Sequence, residues 1–290
     1  MITGSSGFIG NFFLKNALKN GYHIIDVLRY KNKKNKDLKY LRKTYPKSYK
    51  SIFYKKFQDI KKKISKQKID YFINFATLYK NTHSYQDIPN FINSNVVFPS
   101  MILDTVSRKV KKIINFGTMM QHLDGKNYIP QNFYASTKSA FEMILKYFAV
   151  RNKNLKFYNL KLYESFSKYD KRKKLIPTLF NNFKKNKVTK INSQNLELNM
   201  IHIDDIIKSI YVLLDENIKS GSYCLKNKKN IKVKKMIENI NSRSQKPLKV
   251  KYLSSKNIKP KKNFLITLPK WKADTVIQKK IEKIFVDESN

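Results

Sequence analysis

The chain has 290 residues, 41% of them hydrophobic, one cysteine and a formal net charge of +41. That hydrophobic share excludes a disordered chain, the single Cys224 excludes an internal disulfide or a multi-cysteine metal site, and no run of about eighteen apolar residues reads as a membrane-inserting helix. The charge invites a nucleic-acid partner, but 55 of the 61 basic residues are lysine and only 6 are arginine, scattered from Lys15 to Lys283, which argues against a base-reading face and for a solvated basic surface.

Met1–Thr3 reads as a very short first strand and Asn11–Lys19 as a helix. Between them, Thr3-Gly4-Ser5-Ser6-Gly7-Phe8-Ile9-Gly10 holds three of the chain's seven glycines. Glycine is required where φ turns positive or where another group must approach the backbone closely. Strand, glycine turn and helix together form the setting in which free helix N–H groups and the positive dipole end face a dinucleotide pyrophosphate. A strand of about five or six residues is usual, yet only three residues precede Gly4. Either the sequence continues upstream of Met1 or the central strand is short. A motif this early leaves no room for a signal peptide, so a cytoplasmic protein is expected.

Further strands are expected at His23–Leu28, Ser51–Lys55, Tyr71–Ala76, Lys112–Gly117 and Lys156–Leu162, with helices at Asn93–Ser107 and Phe133–Val150. Lys31–Lys50 reads as a solvated loop with one short helix. This alternation predicts a doubly wound parallel α/β Rossmann sheet over residues 1–165. Beyond Tyr163 the alternation weakens, and a smaller C-terminal α/β substrate domain is expected over 166–290. Its helices should lie near Leu175–Lys185, Asp204–Asp215, Lys234–Asn241 and Ala273–Phe285. Cys224, in the apolar run Tyr223–Leu225, should be core.

Chemistry gathers at two places. Tyr134 and Lys138 stand one turn apart on one helix face, where an ammonium would lower the phenol from its reference near 10 and make it a proton donor or acceptor. Thr118 directly follows the strand Lys112–Gly117, at the carboxyl edge where open α/β sheets bind ligands. His23, His83, His122 and His202 are not spaced as a metal site, so no metal is expected. His122, four residues after Thr118 on a loop expected to face substrate, is a candidate substrate contact.

These motifs resemble the extended short-chain dehydrogenases/reductases, the NAD-dependent epimerase/dehydratase family, over nearly the whole chain. Thr3–Gly10 matches its TGxxGxxG loop, Tyr134 and Lys138 its YxxxK pair, and Thr118 the Ser/Thr of its triad. The resemblance therefore implies that Gly4, Gly7, Phe8, Ile9 and Gly10 hold the cofactor and that Thr118, Tyr134 and Lys138 are catalytic. Asp59-Ile60 resembles the pair that meets the adenine. Asn74-Phe75-Ala76-Thr77 resembles a strand-four stretch that usually begins with His, placing Ala76 and Thr77 at the cofactor. Asn95 matches the helix asparagine that supports the lysine through water. Met200–Asp205 and the Trp-containing Leu268–Lys272 are similar to two late stretches of the family.

Within it, Gly117–His122, Phe133–Leu145, Asn159–Tyr163 and Asp170–Leu175 are most similar to the CDP-abequose synthase-like nucleotide-sugar 4-ketoreductases. Two departures stand out. Phe166-Ser167-Lys168 replaces a Tyr-Gly-Pro, and Leu198 stands where many epimerases place a diphosphate-binding Arg. Met119 and Met120 follow Thr118 where dehydratases carry an acid, which argues against dehydration. At the end of the second strand the chain reads Val27-Leu28-Arg29-Tyr30, with no acid for the ribose hydroxyls of NAD. An Arg29 contact to a 2′-phosphate contributes about 1.5–3 kcal/mol, which favours NADP(H) over NAD(H). Asp26 is the alternative acid if the register is shifted by two.

The expected function is NADPH-dependent reduction of the 4-keto group of a nucleotide-linked 4-keto-6-deoxy sugar, in polysaccharide biosynthesis as in the relatives. The alternatives are an NAD-dependent nucleotide-sugar epimerase and, last, a catalytically idle protein binding nucleic acid through its lysines. The resemblance also implies a homodimer through the Phe133–Val150 and Asn93–Ser107 helices.

Overall fold

The computed structural model describes residues 1–262 and 264–289. The first half of the chain alternates as the apolar runs require. In order it forms β1 (Ile2–Thr3), α1 (Phe8–Lys19), β2 (Ile24–Arg29), α2 (Lys36–Thr44), β3 (Tyr49–Tyr54), α3 (Asp59–Ile64) and β4 (Tyr71–Asn74). Then come α4 (Ile88–Ile92), a π turn at Asn93–Val97, α5 (Phe98–Val106), β5 (Lys112–Thr118), α6 (Phe133–Arg151) and β6 (Lys156–Leu162). The later chain supplies β7 (Glu164–Phe166), α7 (Leu175–Lys184), β8 (Thr189–Ile191), β9 (Glu197–Leu198), β10 (Met200–His202) and α8 (Ile203–Asp215). It ends with β11 (Gly221–Leu225), β12 (Ile231–Lys232), α9 (Val233–Asn241), β13 (Val250–Tyr252) and α10 (Ile277–Ser289).

Seven strands form one wholly parallel sheet in the order β11-β6-β5-β4-β1-β2-β3. The two-residue β1 lies between β2 and β4, with Ile2 opposite both Asp26 and Ile73. Both faces are covered, as a parallel sheet demands. Phe13, Leu14, Ile206, Ile210 and Trp271 pack on one face, while Ile60, Ile102, Phe141 and Leu145 pack on the other. The chain after β6 therefore serves two bodies. α8 and β11 return to the large sheet, whereas α7, α9 and α10 enclose a separate apolar cluster around Met200, Met236 and Phe285. Cys224 is buried in β11. No helix among the described residues is long and apolar enough to cross a membrane.

The helix expected at Asn93–Ser107 is part of a longer element, Ile88–Val106, widened in the middle. There Phe98 N–H donates to Asn93 O, five residues back rather than four. Such a π turn rotates the flanking side chains relative to a regular helix, and here Ser94 and Asn95 lie within it.

A row of amides crosses the sheet interior. Thr3, Asn74, Asn115 and Asn159 are register partners on four adjacent strands. Thr3 Oγ1 donates to Asn74 Oδ1 at 2.7 Å, Asn74 Nδ2 to Asn115 Oδ1 at 2.9 Å, and Asn115 Nδ2 to Asn159 Oδ1 at 2.8 Å. Each buried polar group thus satisfies its neighbour. Only Asn159 Nδ2, at the end of the row, lacks a protein partner.

Candidate functional site

A cleft of about 740 Å³ opens at the carboxyl ends of β1, β2, β4, β5 and β6. That is where an open parallel sheet presents its loops to a ligand. The glycine turn forms one wall, and each glycine has a distinct reason to be there. Gly4 has φ +75°, and a Cβ on it would stand 2.4 Å from Ala76 N. A Cβ on Gly10 would meet Gly4 O at 2.4 Å, so α1 can seat on the turn only without one. A Cβ on Gly7 would meet only Gly4 O, at 3.2 Å, so its absence keeps the cleft side of the turn open. Gly7 is also the N-cap of α1, which has no side-chain cap and no acid in its first turn. The free N–H groups and dipole of α1 thus suit a pyrophosphate, and the cradle fits a dinucleotide.

At the end of β2, Val27, Leu28 and Arg29 line the cleft. Arg29 Nη2 donates to Ser94 Oγ at 2.5 Å, so the π turn steadies the guanidinium at the rim. The alternative acid, Asp26, lies inside the sheet. It is fully buried, accepts from Ser5 Oγ and from Tyr49 OH, and does not line the cleft. Burial raises its carboxyl to about 6 against those two hydrogen bonds.

Thr118, Tyr134 and Lys138 line the same cleft, along with Ala76 and Thr77. Thr118 ends β5; its Oγ1 accepts from Met120 N at 3.3 Å and its N–H donates to Gln121 Oε1 at 3.0 Å. α6 begins where Asn132 Oδ1 accepts from Ala135 N at 2.9 Å, which sets Tyr134 in its first turn. The Tyr134 ring meets Tyr79 edge-on at 5.0 Å. The expected lowering of this phenol by Lys138 is not found. Burial pushes Tyr134 up to about 12, and the opposing effects are a hydrogen bond with Thr77 and the charge of Arg172. Burial also pushes Lys138 down to about 8, with Glu142 opposing it. The phenol is therefore protonated throughout the neutral range.

Other sequence candidates fall outside the lining. Asp59 and Ile60 do not reach it: Asp59 Oδ2 accepts from Lys56 N at 3.3 Å and Ile60 is buried in the core beneath β3. Asn95 stands behind it. Its amide donates to Leu78 O and Thr137 Oγ1 and accepts from Leu78 N and Thr77 Oγ1, clamping the loop after β4 onto α6. His122 is a correction to the expected substrate contact. It is buried outside the cleft lining, with Nδ1 donating to Asn127 O at 2.8 Å and Nε2 accepting from Lys161 Nζ at 2.5 Å. Burial and the Lys161 charge lower its pKa, so it stays neutral. Leu198, on β9, pairs with Ile231 and packs in the small C-terminal cluster.

Sequence reasoning missed Arg172 and Lys174, which face the glycine turn across the cleft. Arg172 is gripped by Asp170 through Nε at 2.8 Å and Nη2 at 2.6 Å, and its guanidinium lies 4.2 Å from the Phe8 ring centre. Lys174 Nζ is 3.2 Å from Glu164 and 5.8 Å from the Tyr79 ring centre. The signals available were an arginine in an otherwise lysine-rich run and the resemblance of the Asp170–Leu175 stretch, to which the sequence alone assigns no role. Among the described residues no cluster of three or more His, Cys, Asp or Glu could hold a metal ion.

Comparison with known proteins agrees with this architecture. The family model described as "NAD dependent epimerase/dehydratase family" matches residues 1–225. CDP-abequose synthase of Salmonella muenchen is 24% identical over 257 residues, covering 87% of this chain and 83% of its own length. The enzyme of the same name from Yersinia pseudotuberculosis is 26% identical over 220 residues, covering 75% and 74%. Among solved structures, UDP-glucuronic acid 4-epimerase from Bacillus cereus, in complex with UDP-glucuronic acid and NAD, superposes with a TM-score of 0.81 at 18% identity, covering 99% of this chain and 97% of that one.

Proposed function

The chain belongs to the NAD dependent epimerase/dehydratase family, and on that premise we propose that it uses NADPH to reduce the 4-keto group of a nucleotide-linked 4-keto-6-deoxy sugar. The observation that carries this reading is Arg29 at the cleft end of β2, beside Leu28 and with no acid at the rim. A guanidinium there complements a 2′-phosphate by a charge-assisted bond, and it cannot accept from a pair of ribose hydroxyls as a carboxylate would. The similarity to two CDP-abequose synthases supports a nucleotide sugar as the substrate.

When bound, the cofactor supplies a hydride to the carbonyl carbon. Thr118 orients the carbonyl by donating its hydroxyl proton, because its oxygen is already fixed by Met120 N–H. Tyr134, protonated at neutral pH, gives its proton to the oxygen as negative charge develops there. Lys138 holds the nicotinamide ribose and restores charge balance beside the spent phenolate. Gly4, Gly7 and Gly10 let the pyrophosphate reach the α1 N–H groups, with Phe8 and Ile9 in the first turn beside it. The segment between β7 and α7 supplies the sugar-nucleotide side through Arg172 and Lys174, whose charges suit a diphosphate.

Fluorescence titration of the purified protein should show NADPH bound about ten- to a hundredfold more tightly than NADH. The Arg29→Ala variant should lose that preference and keep its NADH affinity. A preference for NADH, or NAD retained through purification, would replace this reading with the NAD-dependent epimerase. The Arg29–Ser94 hydrogen bond favours that second reading, since it already takes one of the guanidinium N–H donors.

A further inference from the structure

Behind the reacting side chains lies a buried polar layer that the chemistry above does not use. Its hub is Glu142, fully buried on α6 and one helical turn beyond Lys138. Glu142 Oε2 lies 3.0 Å from Lys161 Nζ and accepts from Gln121 Nε2 at 2.9 Å. Oε1 accepts from the hydroxyls of Tyr128 and Ser222, each at 2.6 Å. Gln121 in turn presents Oε1 to the Thr118 N–H at 3.0 Å. Gly117 makes room for this, since a Cβ on it would stand 2.7 Å from Gln121 Oε1.

We propose that Glu142 is a positioning residue for both ends of the catalytic trio: through Gln121 it fixes Thr118, and through its charge it keeps Lys138 cationic. The inference rests on Lys138 holding the cofactor, and is independent of which sugar is reduced.

Glu142 follows Lys138 by four residues on α6, the spacing that sets two side chains on one face of a helix. A buried ammonium without a nearby anion sheds its proton. Burial already pulls Lys138 down to about 8, and Glu142 is the charge that opposes the fall. Burial works against Glu142 as well, but Lys161 and the donors from Ser222 and Tyr128 hold its carboxyl at about 2. The groups facing it come from four elements. They are Lys161 on β6, Ser222 on β11, Lys146 at 3.7 Å on α6, and Gln121 and Tyr128 on the segment between β5 and α6, where neutral His122 backs Lys161. An apolar layer of the same shape would stabilise the fold as well or better than a buried ion pair. A saturated carboxylate here, one turn from the lysine, points to a need for its charge.

The test is the affinity of the full chain for NADPH, read by fluorescence from about pH 6 to 10, in the wild type, Glu142→Gln and Lys161→Gln. Wild-type affinity should fall with a midpoint near 8 as Lys138 loses its proton. In Glu142→Gln the midpoint should move about one unit lower. In Lys161→Gln it should move higher, because the carboxylate stays in place with three neutral donors and loses its nearer cation, leaving only the half-exposed Lys146 at 3.7 Å. If Glu142→Gln does not fold, the upward shift in Lys161→Gln decides alone. Equal weakening at every pH, with no shift in midpoint, would reduce the layer to a structural role and overturn the proposal. Shifted midpoints without turnover of a 4-keto sugar would leave Glu142 as assigned and strike only the reductase reading.

Discussion

Tyr134→Phe is expected to lower turnover by about 10²–10⁴-fold while leaving NADPH affinity close to that of the wild type. The substitution removes one hydroxyl and nothing else. The ring keeps its edge contact with Tyr79 at 5.0 Å and its place in the first turn of α6, so neither fold nor cleft should change. What disappears is the only phenol in the trio, held protonated by burial and therefore ready to donate. Single-turnover oxidation of bound NADPH, beside a fluorescence titration of the same sample, separates the two effects. A parallel loss of affinity would make the hydroxyl a binding group, and unchanged turnover would remove Tyr134 from the chemistry. The pH dependence follows from the same groups. Because Tyr134 lies near 12 and Lys138 near 8, the wild-type rate should be level around neutrality and fall, not rise, above about pH 8.

Gly4→Ala should be the most damaging single substitution in the glycine turn. A left-handed residue with a Cβ costs about 1–2 kcal/mol, and forcing atoms into a packed site costs about 1–3 kcal/mol more. Here the obstacle is backbone, Ala76 N at 2.4 Å and the Phe75 carbonyl carbon at 2.5 Å, which cannot swing aside as a side chain would. Together these cost about 2–5 kcal/mol, which in a chain of this length lowers the melting temperature by about 3–8 °C. Gly21→Ala is the matched control. Its φ is +78°, yet nothing stands within 4 Å of the added Cβ, so only the conformational part should appear. Equal melting temperatures for the two variants would show that the close approach of Ala76 carries no weight.

Features set by local rules were legible in the sequence. The strands from β2 to β6 lie within two residues of the apolar runs, and the YxxxK spacing alone placed Tyr134 and Lys138 on one face of α6. The glycine turn was equally plain from its spacing, and positive φ at Gly4 with close packing at Gly4 and Gly10 accounts for two of its three glycines. What failed depends on which partner a side chain meets across the fold. The phenol was expected to feel Lys138, but burial dominates and the charge that acts on it is Arg172, from a segment well beyond β6. His122 was expected at the substrate because it follows Thr118; a lysine one strand away turns it inward. β11 escaped notice because five residues after α8 carry no periodicity that distinguishes a sheet strand from a core loop. One clue was present and unused. Asn159 and Lys161 alternate with apolar residues in a strand that both faces of the sheet bury, so two polar side chains there required buried partners.

The amide row from Thr3 to Asn159 bears on how such a chain can change over generations. Asn74 and Asn115 each accept from one neighbour and donate to the next, and Asn159 accepts at the end of the row, so the orientation of all three amides is inherited from the Thr3 hydroxyl at the other end. A single replacement by an apolar residue strands a donor on one side and an acceptor on the other, at about 1–3 kcal/mol for each orphan. Replacing the whole row by matched apolar residues would strand none of the row's own groups, and only the long contact from Ala76 N–H to Thr3 Oγ1, at 3.4 Å, would be lost. The poor variants thus lie between two sound ones. The four positions should be exchanged together or kept, which makes them a heritable unit although they lie on four separate strands.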